Sequence, residues 1–461
     1  MRGRSGWMAS AIVCGMLVTA GAAEAKTFEV TRTNDPNPGK CKPRDCSLRE
    51  AILAANERVG RDVIVLPARR YKLTRANPGG VPEDVGVTGD LDVNNDPLSI
   101  RHSGKGRARI DGNELDRVLQ IQLGAPTALK KLAVANGSVD GDGGGILSEA
   151  PLVLQRSTVA DNTATDDGGG LDLDENGSLR MTRSAVLDNE TTDFADSDGA
   201  GINLSGDGTV ARLVRSSVSG NSGAGNSGGI EVPGGDLTLS KSTVAGNRAA
   251  GSGGGLGSDS VVEIRIKSST ISGNRTGLDG GGLKIAFGSV SATNSTFAGN
   301  RADNNGGGIN STDGASVELN AVTVARNLAG ADDPGPPPVT GGGIYQIDSA
   351  FEVRNTLIGL NEIGQGGLVA NDCEGETFTS LGNNLLSTKL ECDGFTQPTD
   401  LERANPKIGT LKNNGGPTKT VELKRGSAAI GKAHKPSAPN RDQRGRKRDN
   451  QPDIGAFERG A

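Results

Sequence analysis

A Gly-rich turn followed by Ile or Leu recurs along the chain at Ile146, Leu171, Ile202, Ile230, Leu256, Leu283, Ile309 and Ile344. Each is followed by a second mark, an apolar residue three positions before an Asn: Val159/Asn162, Val186/Asn189, Val218/Asn221, Val244/Asn247, Ile271/Asn274, Phe297/Asn300, Val324/Asn327 and Ile358/Asn361. From Asn162 the Asn-to-Asn steps are 27, 32, 26, 27, 26, 27 and 34 residues. One structural turn therefore takes about 27 residues, which is the spacing of a solenoid. Between the marks, apolar residues stand seven and five positions before the second apolar one, as in Leu152/Leu154, Leu237/Leu239 and Ile264/Ile266. That is the period-2 pattern of a strand with one buried face. The pattern predicts about three short strands per turn, stacked as parallel sheets with rungs about 4.8 Å apart, an all-β parallel β-helix. The Asn column is expected at a bend, where its amide bonds to the rungs above and below.

Composition narrows the choice further. The 461 residues include 71 Gly and only 2% aromatics, which disfavours a conventional compact enzyme, while the periodic placement of the glycines disfavours disorder. A formal charge of −5 excludes a globally basic nucleic-acid binder. Arg2 and Arg4 precede an apolar stretch from Met8 to Ala20 and a small-x-small site at Ala23-Glu24-Ala25, so residues 1–25 read as a signal peptide. The protein is expected to be exported, secreted or at the cell surface, and a monomer; no later run has the length of a transmembrane segment. Cys41, Cys46, Cys373 and Cys392 remain after the signal as two close pairs. In an oxidising compartment they read as two local disulfides, with zinc binding as the alternative.

Residues 26–95 read as an N-terminal cap, 96–365 as the β-helix repeats and 366–461 as a closing region. Ser47-Leu48-Arg49-Glu50 is a capping box, opening a short helix with apolar Leu48, Ala51, Ile52 and Ala55. Cys46-Ser47-Leu48-Arg49-Glu50-Ala51-Ile52 resembles the motif of the CSLREA-type N-terminal domain, found on exported bacterial proteins with right-handed parallel β-helices. The Gly-Gly-Gly-Ile/Leu and Val/Phe-x-x-Asn marks are similar to polymorphic outer membrane protein repeats, although no terminal series of alternating strands is read and self-anchoring through an autotransporter barrel is not expected. Asn414-Gly415-Gly416-Pro417-Thr418, Asp442-Gln443-Arg444-Gly445 and Asp453-Ile454-Gly455-Ala456-Phe457-Glu458 resemble the choice-of-anchor Q type region. These resemblances imply a single-stranded right-handed β-helix of the pectin-lyase-like kind, with no activity attached.

That superfamily includes polysaccharide lyases and hydrolases, so an enzyme reading depends on the residues themselves. Arg265-Ile266-Lys267 looks like a polygalacturonase motif but lacks an accompanying Gly-His-Gly, and a plain strand explains its alternation. Asp166-Asp167 and Asp332-Asp333 are carboxylate pairs beside turns, where Asp is common anyway. No catalytic residue is assigned. Two ladders are more informative. Lys131, Arg156, Arg183, Arg215 and Lys241 stand three residues before the apolar mark in five consecutive turns, after which the position becomes Ser268, Asn294, Ala321 and Asn355. Stacking would align the cations along an extended anionic polymer, a polysaccharide or a cell-envelope polymer; the alternative is a solvated corner. Asp142, Asp167 and Asp198, reinforced by Asp140, Asp166 and Asp196, precede the Gly turns and suit calcium, the one cofactor considered, against ordinary turn Asp. Insertions at Thr192 to Asp198 and Asp332 to Pro338 fall in the same pre-glycine segment. The stretch Lys424 to Arg448 carries nine Lys/Arg against Asp442, a second anion-binding candidate or a loosely ordered edge. The favoured reading is a non-catalytic surface or secreted β-helix presenting a rigid face for adhesion or anionic-glycan binding. A polysaccharide lyase or glycoside hydrolase is the second reading and a passive structural spacer the third.

Overall fold

A computed structural model describes residues 24–78, 83–194, 197–330, 339–364 and 367–460. The signal segment, Asp196, Asp332-Asp333 and the insertion ending at Pro338 lie wholly or almost wholly outside those residues. The described chain is a parallel β-solenoid with four long sheets of 11, 13, 12 and 10 strands. From Ser138 to Glu362 each turn contributes one strand to each sheet, as in Ile146–Ser148, Pro151–Gln155, Thr158–Ala160 and Thr163–Ala164. The turn thus holds four strands rather than the expected three. The additional one is the two-residue strand after the Asn, and it pairs in register with its neighbours, Thr163 opposite Glu190 and Ala164 opposite Thr191.

Inward alternate positions of the first three strands of the coils form one continuous core from Phe28 to Phe395. In the second sheet Leu152, Leu179, Ala211, Leu237, Ile264 and Val290 stack in register, all buried. Their outward neighbours are largely exposed, which is why the period-2 signal is clean in this sheet.

The Asn column forms an unbroken ladder. In each step from Asn162 to Asn361 the side-chain amide nitrogen donates to the Oδ1 of the next Asn at 2.8–3.0 Å. The backbone N–H of each Asn donates to the same acceptor, as from Asn221 to Asn247 at 3.1 Å. The ladder ends on Asp372, whose Oδ1 accepts from the Asn361 amide at 3.1 Å and whose Oδ2 accepts from Ser387 Oγ at 2.8 Å. A second ladder runs through Ser157, Ser184, Ser216, Ser242, Ser269 and Ser295, each hydroxyl from Ser184 onward accepting the backbone N–H of the preceding coil's Ser. Glycines beside the Asn ladder are required by close approach: a Cβ on Gly255 would lie 2.6 Å from Gly282 O and 2.8 Å from Asn274 Nδ2.

The helix Leu48–Asn56 carries the expected capping box, with Ser47 N–H donating to Glu50 Oε2 and Glu50 N–H to Ser47 Oγ. It packs on Asp62–Leu66 and Leu91–Val93 and covers the N-terminal end of the core. Arg49 is fully buried, paired with Asp35 at 2.8 Å and donating to the carbonyls of Gly86, Gly89 and Asp90. Cys41–Cys46 and Cys373–Cys392 are both disulfides.

The C-terminal segment packs along the side of the solenoid. Ile408, Val421, Leu423, Ile454 and Phe457 form a second small core with Ala298, Ala325, Leu357 and Leu385, all four on the outer face of the third sheet. Gln443 donates to Ser269 O and Thr270 Oγ1, and Thr296 Oγ1 donates to Gln443 Oε1. The basic stretch is therefore not a loose edge throughout. Arg448 is buried against Glu458 at 3.1 Å and Asn294 Oδ1 at 3.1 Å, and Arg444 lies over the Phe457 ring.

Replacing Asn247 with Ala would leave the buried amide and backbone N–H of Asn221 without their acceptor. We expect a loss of about 2 kcal/mol or more, read as a lower urea midpoint, whereas Lys241→Ala in the same coil should stay within about 0.5 kcal/mol. Equal midpoints would remove the ladder from the account of stability.

Candidate functional site

The five cations occupy the bend between the second and third strands. All five have positive φ, from 51° at Arg183 to 57° at Lys131, as do Ser268, Asn294, Ala321 and Asn355 in later coils. Left-handed backbone costs a non-glycine residue roughly 1–2 kcal/mol, with Asn among the tolerated exceptions. The bend is held by the main chain: Arg156 N–H donates to Thr182 O, Arg183 to Val214 O and Arg215 to Ser240 O. The side chains of Arg156, Arg183, Arg215 and Lys241 are exposed, and Lys131 is half-buried. None of the five forms an ion pair among the described residues. At about 4.8 Å per rung the column spans about 19 Å.

The column loses its cations where the C-terminal segment docks. Ser268 O accepts from Thr418, Asn294 Nδ2 donates to Arg441 O, and Asn355 Oδ1 accepts the His434 N–H. Ser268, Asn294, Ala321 and Asn355 are all buried. The same bend is therefore a solvated basic corner in five coils and an intramolecular interface in the next four.

Sequence reasoning missed the extension of this corner onto the second sheet. Arg180 and Arg212 are outward neighbours in register, and Arg265 follows beyond Thr238. Arg101 and Lys130 pair in the adjoining column, which Lys267 rejoins further along. Arg265 is neutralised by Glu263, and Ile264 and Ile266 point inward, so Arg265-Ile266-Lys267 is a plain strand. The outward alternation of each strand carried the signal for these columns.

The acidic column lies at the bend before the first sheet, two strands away from the cations in either direction around the coil. Asp142 Oδ1 accepts the Asp167 N–H at 3.0 Å, and Asp167 Oδ1 accepts the Asp198 N–H at 2.7 Å. In later coils Asn226, Asp279 and Asn305 accept the corresponding N–H groups. One oxygen of Asp142, Asp167 and Asp198 is thus engaged by the backbone, a task Asn performs equally well. Among the described residues no group of three or more His, Cys, Asp or Glu side chains is arranged to hold a metal ion.

Beside this column lies a buried acidic row that the repeat pattern concealed. Asp172, Asn203 and Glu231 follow one another on the outer side of the first sheet, yet are only 3%, 0% and 6% exposed. Asn203 Nδ2 donates to Asp167 Oδ2 at 2.9 Å and to Asp172 Oδ1 at 3.0 Å. The two carboxylates are therefore within about 6 Å of each other. Burial, together with the charges of Asp142 and Asp167, pushes Asp172 up to about 8. Burial pushes Asp167 up to about 7, with the charges of Asp198, Asp142 and Asp166 adding to it. Glu231 rises to about 8, again chiefly from burial, with Asp198 nearby and Ser227 Oγ as its hydrogen-bond donor. Their position directly after the Gly turn gave no period-2 warning, because outward residues there are covered by the adjoining bends.

A family model described as a right-handed β-helix region matches residues 154–329. Over that span the chain is a right-handed β-helix repeat region, and the four parallel sheets extend the same architecture on both sides. Among solved structures the crystal structure of pectate lyase Pel9A is similar, at 14% identity and a TM-score of 0.45, covering 95% of this chain and 98% of that one. No curated protein matches the sequence.

Asp172 and Glu231 set a pH dependence. Unfolded, they release protons near 4; folded, they hold them to about 8. The stability they contribute is fully present below about pH 4 and is lost as pH rises through about 8. The thermal midpoint should therefore fall between pH 5 and 8.5, and Asp172→Asn with Glu231→Gln should flatten that fall. An equally steep fall in the double variant would exclude these two groups as its cause.

Proposed function

We propose that the protein is an exported, non-catalytic β-helix whose basic corner holds an extended anionic polysaccharide or cell-envelope polymer. The observation that carries this reading is the column Lys131, Arg156, Arg183, Arg215 and Lys241, exposed in all but the half-buried Lys131, without ion-pair partners among the described residues and fixed on consecutive rungs. A rigid row needs little ordering when a polymer binds, since the main-chain ladder has already spaced the cations. Arg180 and Arg212 widen the row into a strip. Attraction along such a strip is long-ranged at low ionic strength and falls once the Debye length shrinks below about 10 Å. The two disulfides are consistent with an oxidising, extracellular setting. The resemblance of the N-terminal motif to the CSLREA-type domain, and of the C-terminal segment to the choice-of-anchor type, supports export and surface association.

A second reading, a polysaccharide hydrolase, is favoured by one observation: Asp167 and Asp172 share a donor, with Asp172 raised to about 8, as a general acid requires, and Asp167 only to about 7. Two carboxyl groups so close are of the kind that glycoside hydrolysis employs.

Polymer mass followed by light scattering during size-exclusion chromatography separates the two. With alginate or heparin we expect constant mass and co-elution that weakens as salt is raised. The Arg156→Gln, Arg183→Gln, Arg215→Gln variant should lose the co-elution. A falling polymer mass abolished by Asp172→Asn would establish the hydrolase, and salt-sensitive retention unchanged in the triple variant would refute the basic corner.

A further inference from the structure

A groove of about 570 Å³ opens where the C-terminal segment meets the far side of the solenoid. It lies at the bend between the third and fourth strands, in the coils from Gly299 to Glu362, away from the basic corner in both coil and face. Three arginines line it: Arg301 on the fourth sheet, Arg326 at the bend and Arg403 on the docked segment. All three are exposed, and none forms an ion pair among the described residues. Glu362 is the one carboxylate in the lining, while Leu360, Leu368 and Pro406 supply an apolar wall.

The bend beside the groove departs from the glycine of the coils before it. The bend position just before the ladder Asn is Gly220, Gly246, Gly273 and Gly299 in four consecutive coils, all at positive φ. In the next coil it is Arg326, held at φ 58°, and Arg403 across the groove is held at φ 53°. Two long cationic side chains therefore occupy left-handed backbone at one groove, the first of them where the four preceding coils place Gly and where Asp161, Asp188 and Leu360 stand at positive φ in the remaining coils. Arg326 Nε donates to Gly409 O at 3.4 Å, which leaves its terminal nitrogens available. A guanidinium offers five N–H donors in a fork that matches carboxylate, sulfate or phosphate. The volume falls in the range of small-molecule sites, and an apolar wall with a few converging polar groups is their usual lining.

We infer that this groove is a second binding site, for a small organic oxyanion: a molecule of one or two sugar rings, or of similar size, that carries a carboxylate or phosphate. The oxyanion lies among Arg301, Arg326 and Arg403, and its carbon skeleton lies against Leu360, Leu368 and Pro406. The site does not depend on the basic corner. It exists only because the C-terminal segment folds back along the solenoid and brings Arg403 opposite Arg301.

Titration calorimetry in a buffer free of phosphate tests it with four probes: glucuronate, glucose 6-phosphate, glucose and inorganic phosphate. One or both anionic sugars should bind, glucose should not, and inorganic phosphate should bind at least tenfold more weakly. Which sugar binds identifies the anion. The Arg301→Gln, Arg403→Gln variant should weaken that binding at least tenfold, and the triple variant at the basic corner should leave it unchanged. Arg326→Gly, which restores the glycine of the preceding coils, should keep or raise the melting temperature while binding falls. The inference fails if neither anionic sugar binds at millimolar concentration, if inorganic phosphate binds as tightly as the sugars, or if binding survives Arg301→Gln, Arg403→Gln. It also fails if Arg326→Gly lowers the melting temperature with binding intact, since Arg326 would then serve only as a clamp on Gly409.

Discussion

The column of asparagine amides from Asn162 to Asn361 is the constraint on which the rest of the solenoid depends. Each amide must donate to the coil that follows and accept from the coil that precedes, in a place where water cannot substitute. That requirement fixes the register of the third and fourth strands in the coils it spans. It also dictates glycine beside it, because a Cβ on Gly255 would sit 2.8 Å from the amide of Asn274. The high glycine content of the chain is in part a consequence of packing amides at this bend, and it leaves little bulk on that side of the core.

Register fixed inside the coil becomes alignment outside it. Residues at one bend stack because the strands on either side are pinned, so a single type repeated at that position becomes a continuous row. The bend between the second and third strands uses this in two ways. From Lys131 to Lys241 it shows long cations to solvent, and from Ser268 to Asn355 it shows short polar groups to the C-terminal segment. The outer face of the third sheet changes in step: Thr270, Thr296, Thr323 and Leu357 are buried there, whereas Thr158, Ala185, Ser217 and Thr243 are only half-buried. Solenoid and segment are thus matched along one edge, with Gln443 and Arg448 reaching back to coils at Ser269 and Asn294.

The parts legible in the sequence were those repeated with a fixed offset: the columns, the Asn bend, the capped helix and the two cysteine pairs. The fourth strand was not, because two residues such as Thr163–Ala164 are too short to show an alternation. Arg180 and Arg212 were readable in principle as outward positions, yet they recur in only two adjacent coils. Asp172 and Glu231 stand at outward positions that adjoining bends cover, so their burial is a tertiary fact with no local signature. Arg301 and Arg403 meet only after the chain has folded back on itself, and nothing in their spacing announces it.

The ladder ends on Asp372, and this has a bearing on how such a chain changes length over generations. Aspartate accepts on both oxygens and, once ionised, has no proton to donate, so it takes the last amide of the series and the hydroxyl of Ser387 while asking nothing of a further coil. The opposite end is closed by the helix. Interior coils, by contrast, are interchangeable at this bend, since each receives and offers the same hydrogen bonds. Duplication or loss of one unit of about 27 residues between Asn162 and Asn247 would leave both terminal closures and the docked segment untouched, and would alter only the reach of the exposed corner, by one rung of about 4.8 Å.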